Sequence, residues 1–260
     1  ALRIRKVVDG EYALEQEVVN GFGFRLHFRA SKAPILNGRH GVVYGPSADD
    51  NMFYYSFTRM EVSGELFIAG ETIPVSGSGW YDHEFGGDKA KRCSGHGLGS
   101  YSWSWMGLQL DDGSELCYAT LVDEERGEAL HDHEVLYIDQ AGVRTYHEAT
   151  IQPLDTWSSM RSFVQYEVAW RMQIADLDID ITIEAAKQEQ ELQSVIADPA
   201  YWEGRVHLLG TKSNKIIGGL GFCEQFGRAG DRSNYKRFLS DVSREVRASV
   251  ELNAPLDMSH

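Results

Sequence analysis

The 260-residue chain holds only three cysteines, Cys93, Cys117 and Cys223, an odd number without CxxC or other metal-type spacing. So few exclude a disulfide scaffold and point to free thiols in a reducing, cytoplasmic compartment. Basic residues are also scarce: 25 Lys and Arg stand against 39 Asp and Glu, a formal net charge of −14. No Lys/Arg stripe runs along the chain, which excludes a nucleic-acid footprint and argues against an anionic membrane surface as partner. No apolar run approaches the length of a membrane span. The first residues, Ala1-Leu2-Arg3-Ile4-Arg5-Lys6, lack the apolar stretch of a signal peptide. They also lack an initiator Met, so the chain reads as processed or as a piece of a longer one. Missing as well are a GxSxG elbow, a P-loop, a GxGxxG after a strand and an HExxH helix. Serine hydrolase, nucleotide and nicotinamide chemistries lose their ground, and no cofactor is expected.

What is present is strand pattern. Hydrophobic residues make up 42% of the chain, an ordinary globular share, and the length suits one large β domain or two smaller ones. Phe24, Leu26 and Phe28 alternate with Arg25, His27 and Arg29, as in a half-buried strand. Phe53 to Thr58 is an aromatic strand, and Glu61 to Ile68 continues it with Gly64 as an expected bulge. Tyr101 to Leu110 alternates large and small and ends at Asp111-Asp112-Gly113, a hairpin turn that returns as Ser114 to Val122. Further strands are expected at Glu134–Ile138, Val143–Ile151, Val164–Ile174, Leu177–Ile183, Tyr201–Leu209 and Ile216–Phe226. Short strands and tight turns predict an all-β protein of antiparallel barrels or sandwiches. One exception is an amphipathic helix over about 233–251, with Tyr235, Phe238, Leu239, Val242, Val246 and Val250 on one face. It reads as a brace packed outside a barrel, or else as a partner-binding helix.

The densest chemistry lies in Gly77-Ser78-Gly79-Trp80-Tyr81-Asp82-His83-Glu84-Phe85-Gly86-Gly87. On a strand, Trp80, Asp82 and Glu84 face one way while Tyr81, His83 and Phe85 face the other. A carboxylate against an apolar wall has its pKa raised and serves as general acid or base. The bland alternative is a hydrogen-bonded corner that fixes geometry without chemistry. The Gly-rich stretch Gly86–Gly99 that follows is a candidate lid. Trp103, Trp105 and Gln109 share a strand face with Gly107, two indoles and an amide around a gap, which suits a cavity better than a close-packed core. Tyr81 is expected on that wall with His83. Tyr54 and Tyr55, Trp202 with Glu203, and Glu224 add aromatic–carboxylate pairs. His131-Asp132-His133-Glu134 offers two imidazoles on one face, with His147 or Glu148 as a third group, but surface histidines near a turn explain it better, and no metal is expected.

Several phrases together resemble the lipocalin-like family of carotenoid 1,2-hydratases (hydroxyneurosporene synthases), kievitone hydratase-type proteins, AttH-type proteins and decalin-forming Diels–Alderases. They are Gly38-Arg39-His40-Gly41, Phe53 to Arg59, Val62-Ser63-Gly64, Gly79 to Gly86, Trp103-Ser104-Trp105 through Gly113, Tyr201-Trp202-Glu203-Gly204 and Gly219 to Glu224, in an order that suits the family over about 35–228. The resemblance implies two lipocalin-like barrels side by side, joined at Asp82–Glu84, with ligand near their interface. It also implies cofactor-free hydration, isomerisation or cyclisation of an apolar polyene or polyketide. Family members carry a long Trp- and Tyr-rich first-barrel portion that is missing or short here, so a missing N-terminal segment or a partner is expected to complete that barrel. The expected organisation is a partial first barrel over 1–78, a complete second barrel over 79–228 and the helix and tail over 229–260.

The leading expectation is a cofactor-independent, Diels–Alderase-like cyclase or isomerase of natural-product biosynthesis. It would hold a reactive conformer of a hydrophobic small molecule, with Trp105, Tyr81 or Gln109 polarising a carbonyl. The alternatives are a hydro-lyase with Asp82 or Glu84 as proton donor, and a non-catalytic lipid carrier. Trp80, His83, Trp103, Gln109, Tyr55 and Trp202 are expected to contact substrate, and Asp82, Glu84, Tyr81 and Trp105 to act on it.

Overall fold

The computed structural model describes residues 2–38, 40–43, 51–86, 101–123, 128–129, 134–162, 164–192 and 201–226. The expected C-terminal helix, the His131–His133 pair, Cys93 and the stretch after Gly86 lie outside the described residues. Among the described residues no helix is long and apolar enough to cross a membrane, and the only helical element is a single 3-10 turn at Ala175–Leu177. The protein is all-β and antiparallel, as the period-2 patterning predicts.

Seven strands form the first sheet: β1 (Leu2–Val8), β2 (Glu11–Val19), β3 (Phe22–Ala30), β4 (Ile35–Leu36), β5 (Val42–Val43), β6 (Met52–Ile68) and β7 (Glu71–Gly86). Consecutive hairpins give β1-β2-β3, then β3 pairs with the second half of β6. The long β6 pairs along its other edge with β7, and its first half also takes the short β4 and β5. This is a curled half-barrel with a small apolar interior of Tyr12, Phe57 and Met60. Gly64 is not a bulge: the register runs through it on both sides. A glycine is needed there because a Cβ would run into the Arg25 carbonyl of β3. The irregularity in β6 falls instead between Phe57 and Met60, where the extra residues turn Thr58 and Arg59 toward the second sheet.

That second sheet contains β8 (Tyr101–Leu110), β9 (Glu115–Asp123), β10 (Glu128–Ala129), β11 (Glu134–Ile138), β12 (Arg144–Glu148), β13 (Thr150–Ser158), β14 (Gln165–Ile174), β15 (Ile179–Ala185), β16 (Glu191–Leu192), β17 (Tyr201–Lys212) and β18 (Lys215–Phe226). The long strands follow one another as antiparallel neighbours, and the last, β18, returns to pair with the first, β8. An up-and-down lipocalin-like barrel results, without a ladder between β12 and β13. The expected continuous strand Val143–Ile151 is broken at Ala149 into those two. Inward residues Met106, Leu108, Leu110, Trp170, Met172, Ile181, Trp202 and Val206 fill the barrel. Residues 79–86, expected at the start of the second unit, are the second half of β7 and pair with β6.

Candidate functional site

Strand alternation divides the predicted site residues into two groups, one on each face of the β6–β7 ribbon. Ser56 pairs with Asp82 and Tyr54 with Glu84 on the face toward the second barrel. Phe53 pairs with Phe85, Tyr55 with His83 and Phe57 with Tyr81 on the opposite face. Tyr81 and His83 therefore do not share a wall with Trp103, Trp105 and Gln109; a one-residue step along a strand always changes face.

Asp82 is the most heavily hydrogen-bonded group on the first face. Trp80 Nε1 donates to its Oδ1 at 2.7 Å, Ser56 Oγ donates to the same oxygen, and the Tyr54 hydroxyl adds a third bond. Asn37 in turn donates to Ser56 Oγ at 2.6 Å. Burial nevertheless pushes the Asp82 carboxyl above the ordinary aspartate range, against the lowering effect of those three donors. Its residue retains accessible surface.

Facing it on the barrel is a row of cross-strand neighbours. Glu224 on β18 pairs with Trp105 on β8 and with Glu203 on β17, and directly paired residues share a face. Trp105 packs edge-on against Trp80, ring centroids 5.7 Å apart. The two indoles meet over Gly107, where a Cβ would lie 2.5 Å from Trp105 and 3.2 Å from Trp80, so any larger residue there must push a ring aside. Ile35, Cys117, Leu136 and Ile138 complete the apolar packing. Burial, and then the negative charges of Glu203, Asp82 and Glu84, push the Glu224 carboxyl up to about 7. Burial also raises the Glu203 carboxyl. At neutral pH Glu224 is thus divided between acid and carboxylate, the condition of a group able to give and take a proton.

Gln109 Nε2 donates to the carbonyls of Thr58 at 2.8 Å and Gly79 at 2.9 Å, so it stitches the sheets and has no hydrogen left for a substrate carbonyl. The Trp105 Nε1–H is buried without a hydrogen-bond partner; the Cys117 thiol beside it is a weak acceptor. Trp103 stacks on Phe226 at 4.3 Å, with planes 1° apart. Trp202 lies inside the barrel core, its Nε1 donating to the Gln188 carbonyl at 2.6 Å, away from the Asp82 face. Cys117 and Cys223 are free and buried. Among the described residues no group of three or more His, Cys, Asp or Glu is placed to hold a metal ion. The sequence named Glu224 only as one of several aromatic–carboxylate candidates and gave it no role, because its place beside Trp105 depends on barrel closure between β8 and β18.

The AttH-like family profile matches residues 4–228. The chain belongs to the AttH-like family. A protein assigned as AttH from Nitrosomonas europaea superposes with a TM-score of 0.73 at 26% identity, covering 88% of this chain and 68% of that one. Kievitone hydratase from Nectria haematococca gives 0.71 at 17% identity over 88% and 69%. CghA in complex with Sch210972 gives 0.54 at 8% identity over 85% and 65%. The last two likenesses establish a shared fold. No curated protein sequence matches the chain.

Proposed function

We propose that this AttH-like protein is a cofactor-independent enzyme that protonates a carbon–carbon double bond of an apolar substrate held between the two sheets. The observation that carries this reading is Glu224, a carboxyl held near pH 7 among Glu203, Asp82 and Glu84 at the Trp80–Trp105 wall. Glu224 gives its proton to one alkene carbon, and the neighbouring carbon becomes cationic. The half-buried Trp80 indole and the surrounding carboxylates stabilise that charge. Water then adds to the cation and passes a proton to Asp82, leaving an alcohol; solvent returns the proton to Glu224. Loss of a different proton from the same cation would give isomerisation, and attack by an internal alkene cyclisation. Hydration is favoured, because the carboxylate face retains solvent-accessible surface at Asp82. The fold shared with kievitone hydratase is compatible with it.

The leading expectation from the sequence, a pericyclic template, draws on the same indole wall. Of the three donors considered for a substrate carbonyl, Gln109 is committed to backbone carbonyls, Tyr81 lies on the other face, and the Trp105 N–H is buried beside the Cys117 thiol. The two are separated by incubating the protein in D2O with a panel of isoprenoid and polyene alkenes and following products by mass spectrometry. Deuterium on carbon together with added water is expected, and both disappear in Glu224→Gln. Unchanged turnover in that variant, or a product without deuterium, refutes the acid mechanism.

A further inference from the structure

The outer face of the second barrel is polar along β14 and β15 and over much of β17. Arg171 pairs with Asp180 across β14 and β15, and Glu184 meets His207 across β15 and β17. Strand β18 departs from this rule. Its outward residues run Ile216, Gly218, Leu220, Phe222 and Glu224, and Leu209 of β17 lies opposite Gly218. With the half-barrel in place, Ile216 is 84%, Leu209 63%, Leu220 45% and Phe222 39% exposed. Single exposed apolar residues are ordinary, but four large ones in one stripe mark a contact surface.

The chain supplies a matching surface immediately after this strand. Residues beyond Phe226 lie outside the described ones; their sequence puts Tyr235, Phe238, Leu239, Val242, Val246 and Val250 on one face of an amphipathic helix over 233–251. The lengths agree. From Phe222 back to Ile216 the strand covers about 20 Å, and from Tyr235 to Val250 a helix covers about 22 Å. The connection reaches: Tyr235 follows Phe226 by nine residues, enough for about 30 Å, whereas Phe222 lies about 14 Å back along β18. Charge agrees as well. Residues 228–250 hold six Lys and Arg against three Asp and Glu in a chain of net charge −14, so a basic segment meets an acidic body. Asp111, Glu203 and Glu224 border the stripe. A tether this short also gives the segment an effective concentration on the order of millimolar, which a second molecule in dilute solution does not match.

We infer that residues 233–251 form a helix docked on the β17–β18 stripe, antiparallel to β18, with Tyr235 and Phe238 toward Phe222 and Val246 and Val250 toward Ile216. Phe222 and Glu224 are two residues apart on one strand face, so the first turn of the docked helix stands beside Glu224. The docking itself rests on the stripe and the segment, not on what Glu224 does.

The test is hydrogen–deuterium exchange of the full chain, read by mass spectrometry on peptides covering 233–251 and on the barrel strands together. Amides of the segment should exchange at least about tenfold more slowly than those of an unstructured chain. Leu220→Asp and Ile216→Asp on the stripe, and Val242→Asp on the segment, should each remove that protection and leave the barrel peptides unchanged. Both stripe side chains are exposed, so the barrel can bear the substitutions. Leu154→Asp, at an exposed apolar residue of β13, three strands from β17, should leave the segment protected. A segment that exchanges freely in the parent, protection that survives both stripe variants, or equal loss in Leu154→Asp would overturn the inference. Protection that falls on dilution, together with a dimer in size-exclusion chromatography, would place a second copy on the stripe and overturn it too. None of these readouts involves turnover, so the docking and the proposed activity fail separately.

Discussion

Arg59 of the half-barrel donates its Nε–H to Oε1 of Glu115 in the barrel at 2.6 Å, and Glu115 has no exposed side-chain surface. Lys32 Nζ meets both oxygens of the same carboxylate, at 3.0 and 2.8 Å. It also donates to the carbonyls of Gly113 and Asp139, both at 2.7 Å. Every charge in this clamp has hydrogen-bonded partners, the condition under which a buried ion cluster is tolerated. Two cations face one carboxylate, so its removal leaves both uncompensated. Glu115→Gln should cost about 3–5 kcal/mol of stability, measured by urea unfolding. Lys32→Met should cost less, because Arg59 still neutralises Glu115. A loss below about 1 kcal/mol in Glu115→Gln, the range of exposed pairs, would show that the clamp does not hold the sheets together.

Glu224 gives stability a definite pH dependence. Its carboxyl is pushed up to about 7 in the folded protein from an ordinary value of about 4.3 in the unfolded chain. Between those values the folded state binds the extra proton, so this group's contribution is full below the lower value and is lost as pH rises through the upper one. Glu224→Gln removes the dependence. Stability of the variant should exceed the parent's at pH 8 and match it near pH 4. Equal pH slopes for parent and variant between about 4.3 and 7 would show that another group titrates there.

Gly107 tests the indole wall without touching a titrating group. A Cβ at this position meets the Trp105 and Trp80 rings at 2.5 and 3.2 Å, so one ring must move. Gly107→Ala should cost about 1–3 kcal/mol, the usual penalty of overpacking, and should change tryptophan fluorescence. If substrate lies on the wall, its KM should rise more than the melting temperature alone accounts for. A variant with parental stability and fluorescence would mean that the two indoles have room to spare.

Alternation along 80–85 was enough to separate Trp80, Asp82 and Glu84 from Tyr81, His83 and Phe85, because side-chain direction in a strand has period 2 whatever the tertiary fold. Which group meets the second barrel was not legible. That choice depends on Ser56 and Tyr54, which sit opposite in register and bond Asp82, and registers are set by hairpins elsewhere in the sheet. The hairpin at Asp111-Asp112-Gly113 was legible because Gly113, at φ 84°, occupies a conformation that favours glycine. Glu224 and Glu203 were legible as aromatic–carboxylate candidates but not as neighbours of Trp105, since that proximity arises only when the first and last long strands of the barrel pair. Gln109 was read as a substrate contact; an amide facing two backbone carbonyls of another strand leaves no local signature.

The Asp82 carboxyl provides the last test. Asp82 holds bonds from Trp80, Ser56 and Tyr54. In Asp82→Asn the amide oxygen still accepts from Trp80 and Ser56, and the amide nitrogen can donate to the Tyr54 hydroxyl. The replacement is nearly isosteric and removes a carboxyl that burial already disfavours as an ion, so the melting temperature should stay close to the parent's. The amide cannot take a proton from water. If Asp82 activates the water that captures the cation, turnover should fall by about 10²–10⁴, the usual worth of a positioned acid or base, with KM little changed. Deuterium exchange into unreacted or isomerised alkene should then persist, because Glu224 still protonates it. If the reaction is pericyclic, Asp82→Asn should leave the rate near parental while Trp105→Ala lowers it by spoiling the shape of the wall that holds the reactive conformer. A stable Asp82→Asn protein with undiminished hydration would remove Asp82 from the chemistry and leave it as the anchor of Trp80.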